Sequence, residues 1–401
     1  MDTARIGPTS APATAQPATS TALPGASGYA EIDLTAITDN VAALRGRVGS
    51  AEVMAVVKAD GYGHGALPSA RAALAGGATW IGVAQLAEAL AVRAAGITAP
   101  ILSWLYVPGA DLSSAVLADI DLTVSNLWSL NEAAAGAARH GKPARVHLKV
   151  DTGLARNGAF GDDFADLVRA AARVAATGAI EVVGVWSHFA YADAPQHPTV
   201  RAQQEVFDEA AALMVREGIP PSLRHLANSA ATLTNPGAYY DLVRPGIAVY
   251  GLSPTPDLAS SADFGLREAM RLVARVAQVK DVPAGQGVSY GHTYVTERPT
   301  RLALVPLGYA DGIPRHASNA GPVLAAGHRR TIAGRVCMDQ FVLDLGPDAP
   351  VALGDEVVVF GSAERGEPTA EDWAVACGTI SYEIVTRVGT RLPRVYLTQA
   401  R

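Results

Sequence analysis

An alternation of strand and helix patterns from residue 53 to 244, a switch to short strands after about 266, and polar residues gathered at strand ends predict the fold class. It is α/β: an N-terminal (β/α)8 TIM-type barrel followed by a C-terminal, mainly β domain. Short apolar runs at 53–58, 80–84, 101–106, 122–125, 146–150, 182–188, 223–227 and 242–244 are the eight expected barrel strands. Ala-rich stretches at 85–95, 127–140, 164–176 and 199–217 are the helices expected between them. An open doubly wound sheet is the alternative, but no Gly-x-Gly-x-x-Gly fingerprint follows the first strand.

Three segments follow from this pattern: an Ala/Pro/Thr-rich tail over 1–27, expected to be disordered, the barrel over 28–265, and the β domain over 266–401. Residues 29–34 lead into an amphipathic helix through 40–45. In the second domain, strands are expected at 272–279, 302–307, 322–336, 341–345 and 356–360, then a helix over 370–376 and a last strand region over 380–396.

A chain of 401 residues with 49% hydrophobic content can bury a large core. Its net charge of -6 provides no electrostatic attraction for nucleic acid. The first 27 residues lack the basic start and apolar core of a secretory signal, and no apolar run approaches the roughly 20 residues of a membrane helix. Two cysteines, Cys337 and Cys377, make a poor disulfide framework and fit a reducing cytoplasm.

The run from Val53 to Gly65 carries the chemistry. Lys58 ends an apolar strand, and a turn with Gly61, Tyr62, Gly63, His64 and Gly65 follows it. A strand-end lysine can simply snorkel to water. Held among apolar strands, however, it loses ammonium hydration, its pKa falls, and it becomes a nucleophile for a carbonyl compound; the glycines admit something anionic alongside. That combination points to pyridoxal phosphate. Lys58, Trp104, Lys149, His188, Asn228, Ser229 and Arg244 all fall at the carboxyl ends of expected strands, the face on which barrel enzymes build their sites. Asn228-Ser229 and Arg244-Pro-Gly246-Ile247 follow strands seven and eight, where barrels commonly hold a phosphate. Asn228-Ser229 also reads as a helix cap, and the amino end of a helix suits an anion.

Val-Val-Lys58-Ala-Asp-Gly-Tyr-Gly-His-Gly resembles the cofactor-lysine motif of alanine racemases, barrel-type (fold-type III) pyridoxal-phosphate enzymes. The likeness continues, in the family's order, through His147 to Arg156, Trp186-Ser-His188, His225 to Ser229, Asp241 to Ile247, Val288 to Tyr294, Pro306 to Tyr309 and Gly334 to Asp339. The resemblance implies a pyridoxal 5'-phosphate enzyme interconverting L- and D-alanine for peptidoglycan precursors, with Lys58 and Tyr290 as bases on opposite faces of Cα. It implies phosphate contacts from Tyr62, Ser229, Gly246, Ile247 and Tyr382, and Arg244 on the pyridine nitrogen with His188 behind it. Asn228 and Trp104 complete the cofactor set, Trp104 standing where relatives often carry an aliphatic residue. Arg156 is expected on the substrate carboxylate, oriented by Lys149, which is carbamylated in some relatives. Tyr309 and Met338 are expected to reach a partner's site in a homodimer with shared active sites. A racemase of serine or another small amino acid, a decarboxylase on the same barrel, and a non-catalytic pyridoxal-phosphate binding protein are the alternatives. No metal, membrane or nucleic acid is expected.

Overall fold

The computed structural model describes residues 25–398, so residues 1–24 of the expected tail lie outside the described residues. Strand β1 (Gly28–Asp33) runs into helix Leu34–Arg47, capped where the Asp33 carboxylate accepts from the Ala36 N–H at 2.9 Å. Eight parallel strands follow: β2 (Glu52–Val56), β3 (Trp80–Gln85), β4 (Ile101–Leu105), β5 (Asp121–Val124), β6 (Ala144–Lys149), β7 (Ile180–Trp186), β8 (Leu223–His225) and β9 (Leu242–Val243). From β2 to β8 each strand pairs with the next, and β9 pairs with β2. The ring closes between β8 and β9 through backbone hydrogen bonds from Asp241 N–H to Arg224 O and from Arg244 N–H to Ala227 O. All eight expected strands are present to within a few residues at their ends. The helices Leu86–Ala94, Leu127–His140, Asp162–Ala176 and Pro198–Arg216 stand where they were expected. Met54, Trp80, Leu102, Val183 and Leu242 form one buried cluster contributed by five strands.

The second domain contains β10 (Met270–Arg275), β11 (Gln278–Val282), β12 (Gly287–Val288), β13 (Tyr294–Val295), β14 (Thr300–Val305), β15 (Pro322–Ala325), β16 (His328–Thr331), β17 (Phe341–Gly346), β18 (Glu356–Phe360) and β19 (Arg394–Leu397). A six-stranded sheet has the order β16-β15-β18-β10-β1-β19, and a three-stranded sheet the order β11-β14-β17.

Four details differ from expectation. First, β1 pairs antiparallel with β10 and parallel with β19, so residues 28–33 belong to the second domain's sheet although the chain order puts them before the barrel. Second, 272–279 is two strands, because the chain leaves one sheet after Arg275 and joins the other at Gln278. Third, 322–336 begins as a hairpin, turning at Ala326 and Gly327, both at positive φ as a two-residue hairpin turn requires. Fourth, the strand region over 380–396 is a helix, Ser381–Thr386, with only Arg394–Leu397 extended. Its β-branched residues suggest a strand, but Ser381, Ile384 and Val385 are buried at helical spacing, and burial overrides propensity. Among the described residues no helix is long and apolar enough to cross a membrane.

Candidate active site

The carboxyl ends of the barrel strands surround a cavity of about 820 Å³, within the range of cofactor and substrate sites. Lys58, Tyr62, Trp104, Lys149, Arg156, His188, Asn228, Ser229, Arg244, Gly246 and Tyr382 all line it. Four basic side chains stand among these, and among the described residues no Asp or Glu lines the cavity. Such a surplus of positive charge in a partly desolvated mouth is a standing demand for anionic ligands.

Lys58 stands two residues beyond the last residue of β2. Its pKa is lowered by burial and by the nearby Arg156, while Glu88 works against both. The chain turns away from it in an unusual conformation, with Ala59, Asp60 and Tyr62 at φ of 52°, 51° and 53°. For L-residues this left-handed form costs about 1–2 kcal/mol each, so the surroundings must hold it. Glu88 contributes by accepting the Ala59 N–H at 2.6 Å, and the Asp60 carboxylate accepts the Ala66 N–H at 2.8 Å.

Beside Lys58 lies a cradle of hydroxyls and N–H groups. The Tyr62 ring stands 6.2 Å from that of Tyr382, and burial raises the pKa of both phenols, so each remains a neutral hydroxyl. Ser229 opens the helix Ser229–Thr234, whose cap is Asn228 accepting the Ala231 N–H at 3.1 Å. Ser229 Oγ accepts the N–H of Gly246 at 2.8 Å. Gly246 is a glycine for a steric reason: a Cβ there would fall on the Tyr62 hydroxyl. Ile247 is fully buried and does not line the cavity through its side chain; it begins the single turn Ile247–Tyr250, whose amino end faces the cradle at Gly246. Hydroxyls and backbone groups converging at the amino ends of two short helical turns suit a phosphate.

Arg244 is buried deeper. Its Nη2 donates to Ser187 O at 2.7 Å and approaches His188 Nδ1 at 3.4 Å; its Nη1 is 3.3 Å from His225 Nδ1. Burial draws the guanidinium down to about 9, which leaves it charged near neutral pH. His188 is driven well below its ordinary value by burial, by Arg244 and by Arg156, so it is neutral and can accept from Arg244. Lys149, buried beside Arg244 and Arg156, is lowered to about 7, principally by its burial.

Two features carried no expected role. Trp186, paired in register with Lys149, has the Lys149 Nζ 4.0 Å and the Arg244 Cζ 4.7 Å from its ring centre, and its ring stacks on His225 at 5.7 Å. Its aromatic face offsets part of the repulsion between two neighbouring cations. Behind Arg244 a buried line of polar groups runs from His225 to His147 at 2.9 Å and from His147 to Asp121 at 3.1 Å. Trp186 and His188 share a strand-end parity with each other, as His147 and Lys149 do, and that spacing was the available signal.

Tyr290, Tyr309 and Met338 lie elsewhere. They are exposed to 71%, 44% and 54% on the second domain and do not line the cavity of their own chain. Their segments nevertheless meet one another. Tyr309 N–H donates to Cys337 O at 3.1 Å, and Ser289 Oγ, next to Tyr290, donates to Arg335 O at 2.6 Å. Ser289 sits at φ 59°, and this hydrogen bond helps hold it there, fixing the direction in which Tyr290 leaves the backbone.

Residues 32–254 match the family model described as alanine racemase, N-terminal domain, and residues 269–396 the one described as alanine racemase, C-terminal domain. The alanine racemase of Frankia casuarinae is 61% identical over 368 residues, 92% of this chain and 96% of that protein. A crystal structure of alanine racemase from a D-cycloserine-producing Streptomyces lavendulae superposes with a TM-score of 0.92 at 57% identity, covering 94% of this chain and 98% of that one. An alanine racemase of Bacillus anthracis with bound L-Ala-P superposes with a TM-score of 0.85 at 35% identity, covering 94% and 96%. The strand-end lysine, the hydroxyl cradle and the domain order thus occur in a chain that, over nearly its whole length, belongs to the alanine racemase family.

Proposed function

We propose that the barrel mouth is a pyridoxal 5'-phosphate site at which L- and D-alanine are interconverted by two bases, Lys58 and Tyr290, brought together in a homodimer. The racemisation follows from the family and from 61% identity to the Frankia alanine racemase. The observation that supports the cofactor is the cavity itself: four basic side chains and, among the described residues, no carboxylate, with a lysine of lowered pKa beside a hydroxyl cradle. When bound, the cofactor would supply a conjugated ring that takes up the electron pair left on Cα as its proton departs.

The chain's own residues do the rest. Tyr62, Tyr382, Ser229 and the backbone at Gly246 and Ile247 would hold the phosphate. Lys58 Nζ would hold the cofactor, and its amine, lowered in pKa by burial and by Arg156, would be the base on one face. Arg244, charged and seated by Ser187 and His188, would donate to the pyridine nitrogen without surrendering its proton. Trp104 and Asn228 would border the ring. Arg156 would take the phenolic oxygen and the substrate carboxylate, oriented by Lys149, whose amine near pKa 7 is reactive enough to be carbamylated. Tyr290 on the other face, with Tyr309 and Met338 narrowing the entrance, would come from a second copy of the chain. The domains would divide as 28–265 and 266–401, with β1 crossing over. Two free cysteines suit a cytoplasmic enzyme.

Purified full-length protein should convert L-alanine to a mixture containing D-alanine, detected by chiral chromatography, and borohydride treatment followed by peptide mapping should place the cofactor label on Lys58. Absence of D-alanine would refute the activity, and a label on another lysine would refute the site.

A further inference from the structure

The conformation of the segment after Lys58 demands an explanation beyond the roles assigned so far. Residues 59–63 all have positive φ, from 51° to 82°, and close on themselves through Gly61 N–H to Val57 O at 2.8 Å and Gly63 N–H to Ala59 O at 3.0 Å. They form a left-handed helical turn with Lys58 at its start and Tyr62 near its end. Glycine accounts for two of the five positions; Ala59, Asp60 and Tyr62 require an external restraint.

His64 is placed to supply it. Its Nδ1 lies 3.0 Å from Tyr62 O and 3.1 Å from Gly61 O. Both partners are acceptors, so Nδ1 carries the hydrogen and is shared between these two carbonyls, while the turn's last carbonyl, that of Gly63, accepts from Arg394 Nε at 3.1 Å. The ring is fully buried, and burial holds it neutral, with its pKa lowered to about 4. It packs on Tyr250 with ring centres 4.4 Å apart, and Tyr250 in turn is 5.1 Å from the Tyr62 ring. The Tyr250 hydroxyl donates to Val56 O at 3.2 Å, in the strand immediately before Lys58. The path Val56, Tyr250, His64, Tyr62 is therefore a bracket spanning the turn from its entrance to its exit, with Lys58 inside it.

We propose that His64 is a positioning residue for the reaction: by donating to the carbonyls of Gly61 and Tyr62 while packed on Tyr250, it keeps the turn left-handed and sets Lys58 relative to Tyr62. The proposal rests on the assignment of Lys58 and Tyr62 to the cofactor. His64 touches neither substrate nor cofactor in this scheme.

The location of the N–H, rather than the bulk of the side chain, makes the test. Asn at 64 puts an amide N–H where Nδ1 stands, whereas Gln puts it where Nε2 stands and fills more space. Full-length His64→Asn and His64→Gln, each loaded with pyridoxal 5'-phosphate, are compared with the parent in cofactor release, followed by visible absorbance after gel filtration, and in kcat, KM and melting temperature. His64→Asn should release cofactor within about twofold of the parent. His64→Gln should release it roughly tenfold faster, the order expected for losing one or two hydrogen bonds, and should lose kcat more than it raises KM. Equal release from both variants and the parent, with only the melting temperature lowered, would overturn the proposal, as would a better result from Gln than from Asn. A parent that binds no pyridoxal phosphate would overturn the site assignment and this proposal together, whereas a parent that binds it and variants that behave alike would overturn only this one.

Discussion

Lys58 lines the barrel mouth, whereas Tyr290 is 71% exposed on the other domain and lines no part of that cavity. If the two act on one substrate molecule, they come from different copies, and a two-fold dimer then holds two sites of identical composition. Lys58→Ala and Tyr290→Ala homodimers each lack one base in both sites and should both be inactive. Mixing them in equal amounts with full exchange makes about half of the dimers mixed, and in each mixed dimer one site lacks both bases while the other has both. Half of the sites in half of the dimers gives roughly a quarter of parental activity. Native mass measurement reports the extent of exchange, and chiral chromatography of alanine reports the activity. Confirmed exchange with no return of activity would refute the shared site: Tyr290 would then act within its own chain or not as a base.

Three further outcomes follow from the geometry. With its amine near pKa 7, Lys149 should be roughly 90% uncharged at pH 8 and take up labelled bicarbonate as a carbamate, visible by carbon NMR; Lys149→Met should abolish the signal, and its persistence would exclude this lysine. His64 has a folded pKa lowered to about 4 from 6.5, so the unfolded chain binds its proton more tightly; the stability it contributes is complete above pH 6.5 and lost as pH falls through 4. That loss amounts to about 3 kcal/mol, and urea titrations of His64→Asn should show a correspondingly flatter acid limb, an unchanged limb counting against it. Gly246→Ala would drive a methyl group into the Tyr62 hydroxyl and should weaken pyridoxal phosphate at least roughly tenfold by absorbance titration, while parental affinity would show the cradle to be elsewhere.

The barrel was legible because each of its strands is a local apolar run of strand length, and because period-two alternation brings every strand-end polar residue to one mouth. Lys58, Lys149, His188, Ser229 and Arg244 could be placed at that mouth from their offsets alone, and the structure has all five lining one cavity. Local pattern was also sufficient for the helix at Ala370–Cys377 and for β18.

It was insufficient wherever the deciding partner is remote in the chain. The sheet that receives β1 is set by its pairing with Met270–Arg275 and Arg394–Leu397, contacts more than two hundred residues away. Ser381–Thr386 carries the β-branched residues of a strand and becomes a helix because its buried positions fall on one helical face, which puts Tyr382 beside Tyr62. Trp186 acquires its function from register: β6 and β7 pair so that Lys149 stands opposite it, and no property of the tryptophan's own neighbours records that. The left-handed turn after Lys58 is the clearest case. Ala59 and Tyr62 disfavour its dihedrals locally, and contacts from Glu88, Tyr250, Arg394 and a buried His64, assembled by folding, help make that conformation the stable one. Sequence determined which chemistry the chain carries and on which strand ends; tertiary contact decided the backbone shape, charge state and exposure of the residues that perform it, because those depend on groups that only folding brings within reach.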